Sequence, residues 1–339
     1  MLSRREVALA ALAVAATGGS GASYWRERQA LAAFDPELRD FVARYLANPP
    51  PDLSPENLAM FRQVERATAP PPLPSPAVKR SQVPGLNGAP PVGVRLINAR
   101  PGTARPAIFY LHGGGFVMGD AAGAVRQLQG LAAALDCVAV AVDYRRAPET
   151  RHDGMLDDVS AALRWVHDQT ARIGVDPARI AIMGSSAGGG LAALLAMRAR
   201  DEGVVRPCLQ LLVYPMLDDR TGAAPSSAPS LWSAANNRFG WAAFLGDRPA
   251  NAVSARRSDL AGLPPTLIAV GSLDLFHDED VAFAKRLASA GVATKLKVTP
   301  GAFHGFDLAV PGSRAAKRFR ADIIAALATA FGTEKHIRD

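Results

Sequence analysis

One serine lies within a short glycine-rich segment, Gly184-Ser185-Ser186-Ala187-Gly188. The apolar run from Ile180 to Met183 precedes this segment and a helical pattern follows it. Ser186 is therefore predicted to lie on a tight turn between a strand and a helix, where its hydroxyl is exposed. The N-terminus of the following helix favours developing negative charge. The pattern is typical of an activated nucleophile, and the pentapeptide alone is also compatible with an ordinary glycine-rich turn.

A second glycine-rich segment, His112-Gly113-Gly114-Gly115-Phe116, follows the apolar run from Ala107 to Leu111. Consecutive glycines let the backbone turn its N–H groups toward a substrate oxygen. Together with the N–H of Ala187, those of the glycine triplet would form an oxyanion hole. A dinucleotide-binding loop is the alternative, but the glycine spacing up to Gly119 does not match G-x-G-x-x-G. We expect His112 to be a structural residue that forms hydrogen bonds, not a base.

A serine nucleophile needs a general base, and sites of this type have the chain order serine, acid, histidine. The histidines that follow Ser186 are His277, His304 and His336. His336 lies in the polar tail, and His277 comes only three residues after Asp274. His304 follows the last predicted strand in a glycine-flanked loop, so we predict it to be the base.

Asp274 is predicted to be the acid that orients this histidine. It comes directly after the apolar run from Thr266 to Gly271, at the end of a predicted strand. Asp278 is the alternative, with a more helical setting and a capping role. His277 lies close in sequence to two carboxylates, but this closeness alone is weak evidence that the residues bind a metal ion. We therefore predict no metal site.

The elements that must position these residues follow from an alternation of short apolar runs with helical stretches, beginning near Val92. The alternation predicts an α/β fold with a mostly parallel sheet covered by helices on both faces. In such sheets the chemistry lies at the carboxyl ends of the strands. The predicted strands are Val92 to Ile97, Ala107 to Leu111, Val138 to Val142, Ile180 to Met183, Leu209 to Val213, Thr266 to Val270 and Lys295 to Val298. The predicted helices between and after them are Leu156 to Gln169, Gly189 to Ala199, Asp278 to Ser289 and Ala315 to Ala328.

The N-terminal residues 1–23 have the layout of an export signal. Arg4 and Arg5 precede the apolar stretch from Val7 to Ala16, and small residues follow from Gly19 to Ser23. The arginine pair resembles a twin-arginine signal, so we predict export to the periplasm, with a cytoplasmic protein as the alternative. The stretch is too short to span a bilayer, and no other stretch approaches 18 consecutive apolar residues. No stable membrane insertion is therefore predicted.

Composition excludes several classes of protein. The chain has 339 residues, 49% of them hydrophobic and 20% charged, which excludes a disordered protein. Two cysteines cannot form a disulfide framework. The net charge of +7 comes from lysines and arginines that are dispersed along the chain, so a nucleic-acid partner is not predicted.

Taken together, the motifs resemble the α/β-hydrolase superfamily and, within it, the bacterial hormone-sensitive-lipase-like esterases. The resemblance covers about residues 33–331 and implies an eight-stranded sheet with a helical cap built from residues 34–80 and 217–260. It also implies Ser186 as nucleophile, Asp274 as acid and His304 as base. The matching segments are Tyr110 to Phe116, Val142 to Glu149, Gly184 to Gly189, Gly271 to Phe276 and Phe303 to Phe306.

Three departures from the family pattern matter. Ser185 precedes the nucleophile where Asp or Thr is frequent, and Gly190 stands where an Asn often follows. Downstream of Tyr144-Arg145, Arg146 replaces the usual Leu, and Arg151-His152-Asp153 replaces the usual proline-aromatic-proline stretch. These departures concern the packing of the loops around the site and substrate fit, and they leave the three catalytic candidates in place.

The resemblance implies a serine carboxylesterase that needs no cofactor and whose partner is a small-molecule ester. Phe41, Phe61, Trp232 and Phe239 of the cap are expected to shape a modest acyl pocket beside Phe116, so we expect short to medium acyl chains to be preferred. Hydrolysis of amides or lactones by the same residues and a non-catalytic receptor on the same fold are the alternatives. A homodimer is left open.

Overall fold

The computed structural model describes residues 31–222, 232–247, 257 and 259–334. Eight strands form one sheet in the order β1-β2-β4-β3-β5-β6-β7-β8. Strand β2 is antiparallel to both of its neighbours, and every pair from β4 to β8 is parallel, which confirms the predicted sheet. The strands are β1 Val78–Val83, β2 Val92–Ile97, β3 Arg105–Leu111, β4 Val138–Asp143, β5 Val175–Ser185, β6 Leu209–Val213, β7 Thr266–Gly271 and β8 Thr294–Thr299.

Helices cover both faces of this sheet. Ile180 and Ile182 of β5 pack into one buried layer, whereas Ala181 and Met183 pack into the other, because alternate residues of a strand face opposite sides. Buried residues of α4, α6 and α8 contribute to the first layer, and those of α3 and α10 to the second. The helices are α1 Arg39–Ala47, α2 Leu58–Thr68, α3 Ala121–Ala134, α4 His152–Asp168, α5 Thr170–Ile173, α6 Ala187–Glu202, α7 Ala234–Leu245, α8 His277–Ser289, α9 Phe306–Ala309 and α10 Arg314–Phe331.

Strand β1 and helices α3, α5 and α9 were not predicted from the sequence. Residues 78–80, which we placed at the end of the cap, instead begin β1 and pair with β2, where Val78 lies opposite Ile97. The strand was missed because it lies at the sheet edge and only Val83 in it is buried. Helix α3 was also missed. Its N-cap is Asp120, whose carboxylate accepts a hydrogen bond from the Gly123 N–H at 2.9 Å.

The two segments predicted to form the cap contact each other in the structure. The Leu53 N–H donates to Asn236 Oδ1 at 2.7 Å, and the Ser233 hydroxyl donates to Asp52 Oδ1 at 2.5 Å. Parts of residues 217–260 lie outside the described residues, as does the predicted export signal at 1–23. Among the helices of the described ranges, none combines the length and the apolar character needed to cross a bilayer.

Glu279, in the first turn of α8, binds the start of the second segment predicted to form the cap. Its carboxylate accepts hydrogen bonds from the N–H groups of Leu217, at 2.6 Å, and Asp218, at 3.3 Å, and from the Thr221 hydroxyl. Burial, with a smaller contribution from the charge of Asp218, raises the pKa of Glu279 to about 8. The folded protein therefore holds this proton more tightly than the unfolded chain does.

We expect Glu279→Gln to flatten the dependence of stability on pH. Because the pKa of Glu279 is raised above its ordinary value of 4.5, its contribution to stability is fully present below that value and is lost as the pH rises toward 8. Glutamine keeps an acceptor oxygen and cannot ionise. Relative to the variant, the wild type should lose on the order of a few kcal/mol of unfolding free energy between pH 5 and pH 8.

Denaturant titrations across this range measure the difference, with a substitution of an exposed acid, Glu334→Gln, as control. Parallel curves for wild type and Glu279→Gln would contradict the prediction.

Candidate active site

Ser186 occupies a strained turn between β5 and α6. Its φ is +55° and its ψ is −124°, a backbone conformation that costs on the order of 1–3 kcal/mol for a residue with a side chain. The Ser186 N–H donates to the Val213 carbonyl at 2.9 Å, which holds the turn against β6. A Cβ at Gly188 would lie 2.2 Å from the Leu111 carbonyl oxygen, so α6 approaches β3 this closely only with glycine there.

The structure brings the three predicted catalytic side chains together. His304 Nε2 lies 3.0 Å from Ser186 Oγ, and His304 Nδ1 lies 2.9 Å from Asp274 Oδ2 and 3.1 Å from Oδ1. The Asp274 side chain is fully buried, and the His304 side chain is 11% exposed. Each of the three residues follows a different parallel strand, and those strands end at one edge of the sheet.

Local hydrogen bonds fix Asp274 in this position. The Phe276 N–H donates to Asp274 Oδ1 at 2.9 Å, and the Asp274 N–H donates to the Gly271 carbonyl at 3.2 Å. The alternative acid, Asp278, has a fully exposed side chain that lies 2.8 Å from His277 Nδ1. The two residues therefore pair with each other at the surface. The third histidine considered from the sequence, His336, lies outside the described residues.

Tyr214 is a residue near the nucleophile that sequence reasoning missed. Its ring meets the His304 ring edge-on at a centroid distance of 4.7 Å, and its hydroxyl donates to the buried Asp307 at 3.1 Å. Burial raises the pKa of Asp307. On the other side, the Phe276 ring lies 5.0 Å from that of His304. The position of Tyr214 directly after β6 was the signal that could have identified it.

The glycine segment supplies backbone donors beside the nucleophile. A Cβ at Gly113 would lie 3.2 Å from Ser186 Cβ, and Gly114 and Gly115 adopt positive φ angles of 117° and 59°. In the part of the chain that the structure describes, no protein acceptor binds the N–H groups of this triplet or of Ala187. These four groups therefore remain the candidates for binding a substrate oxygen.

His112 has the structural position expected from the sequence. Its ring stacks on that of Tyr144 at 4.1 Å, and its Nδ1 lies 2.8 Å from the Gly113 carbonyl oxygen. Desolvation lowers the pKa of His112 to about 4, so the imidazole is neutral at physiological pH. Ser185, one of the departures from the family pattern, accepts a hydrogen bond from the Tyr110 hydroxyl at 3.2 Å.

A cavity of about 360 Å³ opens over Ser186 and His304. Of the predicted substrate contacts, Trp232 lines it, and a Cβ at Gly115 would lie 2.3 Å from the Trp232 ring. Phe116 and Phe239 are not among the lining residues. The Phe116 ring instead stacks on that of Phe244 at 4.0 Å, and Phe116 has a positive φ of 65°.

The remaining aromatic candidates also lie away from the cavity. Phe41 stacks on Phe303 at a centroid distance of 5.7 Å, and Phe61 and Phe239 pack, partly buried, against the hydrophobic core. Aromatic residues on cap helices are often needed for the helices to pack, and their sequence positions do not show which face they occupy.

Two acidic residues line the cavity. These are Glu65 and Asp120, and no lysine or arginine is among the lining residues in the described part of the chain. Glu65 accepts a hydrogen bond from the Gly119 N–H at 2.8 Å, and burial raises its pKa.

Known proteins that are similar to this chain are α/β hydrolases and esterases. A family model described as the α/β hydrolase fold matches residues 108–308. Esterase LipI of Mycobacterium tuberculosis is 40% identical over 212 residues, which cover 59% of this chain and 65% of that protein. Ethyl acetate hydrolase of Pseudomonas putida is 34% identical over 224 residues, which cover 61% of this chain and 67% of that protein.

Among solved structures, a bacterial heroin esterase is 33% identical, with a TM-score of 0.79, and the match covers 89% of this chain and 99% of that one. The alignments with the two curated relatives span about two thirds of those proteins' lengths. The protein belongs to the α/β-hydrolase family and, within it, to the esterases related to hormone-sensitive lipase.

Proposed function

We propose that the protein is a serine carboxylesterase that hydrolyses short- to medium-chain neutral esters through an acyl-enzyme on Ser186. The observation that carries this proposal is the continuous hydrogen-bonded series from Ser186 Oγ through the His304 ring to the buried Asp274. A nucleophile, a base and an orienting acid within hydrogen-bond distance are the arrangement that acyl transfer requires.

In the proposed mechanism, Ser186 Oγ attacks the ester carbonyl carbon while its proton passes to His304 Nε2. Asp274 holds the Nδ1–H tautomer and stabilises the imidazolium. The N–H groups of Gly114, Gly115 and Ala187 bind the oxyanion, and one such donor contributes about 10²- to 10³-fold in rate. The C–O bond to the alcohol then breaks, and the alcohol leaves with the proton from Nε2. Water, activated by the same histidine, hydrolyses the acyl-enzyme.

The size and charge of the cavity support the proposed substrate class. Its volume of about 360 Å³ lies near the lower end of the range for small-molecule sites, roughly 300–1,000 Å³. Trp232 supplies an apolar wall, and Glu65 and Asp120 would repel a carboxylate on the substrate. The name of the Pseudomonas putida relative, ethyl acetate hydrolase, indicates a small neutral ester for that protein.

Hydrolysis of p-nitrophenyl esters from C2 to C12 tests this proposal. We expect kcat/KM to be greatest for butyrate or hexanoate and to fall by at least about tenfold at C12, because the longer chain exceeds the cavity. Mono-p-nitrophenyl succinate has the chain length of the butyrate ester but carries a carboxylate. It should react at least about tenfold more slowly, because it meets two acidic side chains. Faster turnover of emulsified long-chain lipid, or of the succinate, would contradict the proposed substrate class.

We also propose that residues 34–77 and 217–260 form a cap over this cavity, and that residues 1–23 direct export. The contacts of Leu53 and Ser233 across the two segments support the first proposal. The arginine pair before an apolar stretch supports the second. Fractionation of expressing cells, with Arg4→Lys and Arg5→Lys together as the comparison, would test export.

A further inference from the structure

Three side chains from elsewhere in the chain bind the backbone of residues 117–119, which directly follow the glycine segment 112–116. Arg62 Nε donates to the Val117 carbonyl at 2.7 Å. Glu65 accepts from the Gly119 N–H at 2.8 Å, and Arg146 donates to the Gly119 carbonyl at 2.7 Å. Both polar groups of the Gly119 residue are therefore held by charged side chains, which form stronger hydrogen bonds than neutral ones.

Two of these side chains come from one face of helix α2. Arg62 and Glu65 are three residues apart, so they lie side by side on the helix surface. The Arg62 guanidinium is itself fixed, because Glu149 accepts two hydrogen bonds from it, at 2.6 and 2.9 Å, and the Ala147 carbonyl accepts a third at 2.7 Å. Its side chain is only 12% exposed. Helix α2 is therefore bound to the residues that directly follow the glycine segment.

The position of Gly119 is coupled to that of the oxyanion donors by close packing. A Cβ at Gly119 would lie 2.1 Å from the Gly113 carbonyl oxygen and 2.3 Å from His112 Nδ1. A Cβ at Gly114 would lie 2.4 Å from the Met118 carbonyl carbon, and the Met118 N–H donates back to the Gly114 carbonyl at 2.8 Å. The segment folds back on itself, so a shift of Gly119 would displace Gly113 and Gly114.

We propose that Glu65 is a positioning residue for the oxyanion hole, and that Arg62 and Arg146 support it by holding the neighbouring carbonyl groups. This inference rests on the proposed esterase function. Arg146 is one of the residues in which the chain departs from the family pattern, and its bond to Gly119 gives the departure a structural role. Glu65 also lines the cavity, so direct contact with the substrate is the competing role for it.

Kinetics of Glu65→Ala and Glu65→Gln separate these two roles. If Glu65 positions the donors, Glu65→Ala should lower kcat by about 10- to 100-fold, with KM within about threefold, since removal of one donor costs about 10²- to 10³-fold. Affinity for an alkyl trifluoromethyl ketone, which adds to the serine and places an oxyanion in the hole, should fall in parallel. Glu65→Gln should stay within about threefold of wild type, because its amide oxygen can accept the Gly119 N–H. Gln63→Ala, an exposed position on the same helix, is the control and should leave all three quantities unchanged.

Two kinetic results would overturn the inference. Wild-type kcat in Glu65→Ala would show that the hydrogen bond does not position the hole. A raised KM with unchanged kcat would assign Glu65 to substrate binding instead.

Hydrogen exchange of the backbone amides in a peptide covering residues 113–119 gives a readout that does not depend on ester turnover. The amides of this peptide should exchange faster in Glu65→Ala than in the wild type, Glu65→Gln and Gln63→Ala. Exchange in a peptide from β5 should be the same in all four proteins. Faster exchange of Glu65→Ala in both peptides would mean that the substitution destabilises the whole protein. Equal exchange of the 113–119 peptide in all four proteins would mean that Glu65 does not hold the segment. Either result would overturn the proposal. If the wild type hydrolyses no ester of the series, the proposed function fails, and the exchange data still decide whether Glu65 fixes the segment.

Discussion

Ser186→Ala is expected to lower kcat for p-nitrophenyl butyrate by about 10⁴- to 10⁶-fold. The hydroxyl that lies 3.0 Å from His304 Nε2 is the group that would bond to the acyl carbon, and alanine removes it without adding bulk to the turn. KM, or the affinity for a competitive ligand, should change little, because the other residues that line the cavity are unchanged. The residual rate would come from the oxyanion donors and from binding alone. The loss is measured from initial rates, at enzyme concentrations high enough that the enzymatic rate exceeds the rate of spontaneous hydrolysis.

The adjacent serine provides the matched control for this substitution. Ser185 accepts a hydrogen bond from the Tyr110 hydroxyl, whereas the hydroxyl that His304 binds in the described structure is that of Ser186. Ser185→Ala should therefore retain activity within about tenfold of wild type. A Ser186→Ala protein that is folded by near-UV circular dichroism and keeps more than about a hundredth of the wild-type rate would refute the serine mechanism.

The catalytic candidates were predictable because their positions follow from sheet topology. Ser186, Asp274 and His304 do not adjoin one another in sequence, but each lies in the segment that follows a strand of the parallel part of the sheet. The carboxyl ends of parallel strands share one edge of the sheet, so strand ends identify candidate site residues without any knowledge of contacts. The same rule applies to Tyr214 after β6, whose side chain packs on His304.

The side-chain contacts around the site that do not follow from strand ends could not be predicted in this way. Phe116 and Trp232 are both aromatic residues close to the site, and only the second lines the cavity. The Phe116 ring stacks on that of Phe244, whereas the Trp232 ring lies close to Gly115. The bond between Glu65 and Gly119 joins residues 54 positions apart, and no local pattern in α2 indicates it.

Asp274→Asn is expected to lower kcat/KM by about 10³- to 10⁴-fold near neutral pH, through the tautomer of His304. Asp274 Oδ1 accepts a hydrogen bond from the Phe276 N–H, so this bond fixes which atom of an asparagine is the oxygen. The amide nitrogen then takes the position of Oδ2 and donates to His304 Nδ1, which lies 2.9 Å from that atom. The histidine must in turn carry its proton on Nε2, which can no longer accept the proton of Ser186.

Asp278, an exposed acid four residues after Asp274, provides the control for this prediction. Asp278 has a fully exposed side chain close to His277, so Asp278→Asn should leave kcat/KM within about twofold of wild type. Equal losses in the two variants would indicate a general effect of charge near α8 and would refute the tautomer argument. Because Asp274→Asn keeps the size of the side chain and its bond to Phe276, a selective loss would assign the effect to the proton on His304 and not to a collapse of the loop.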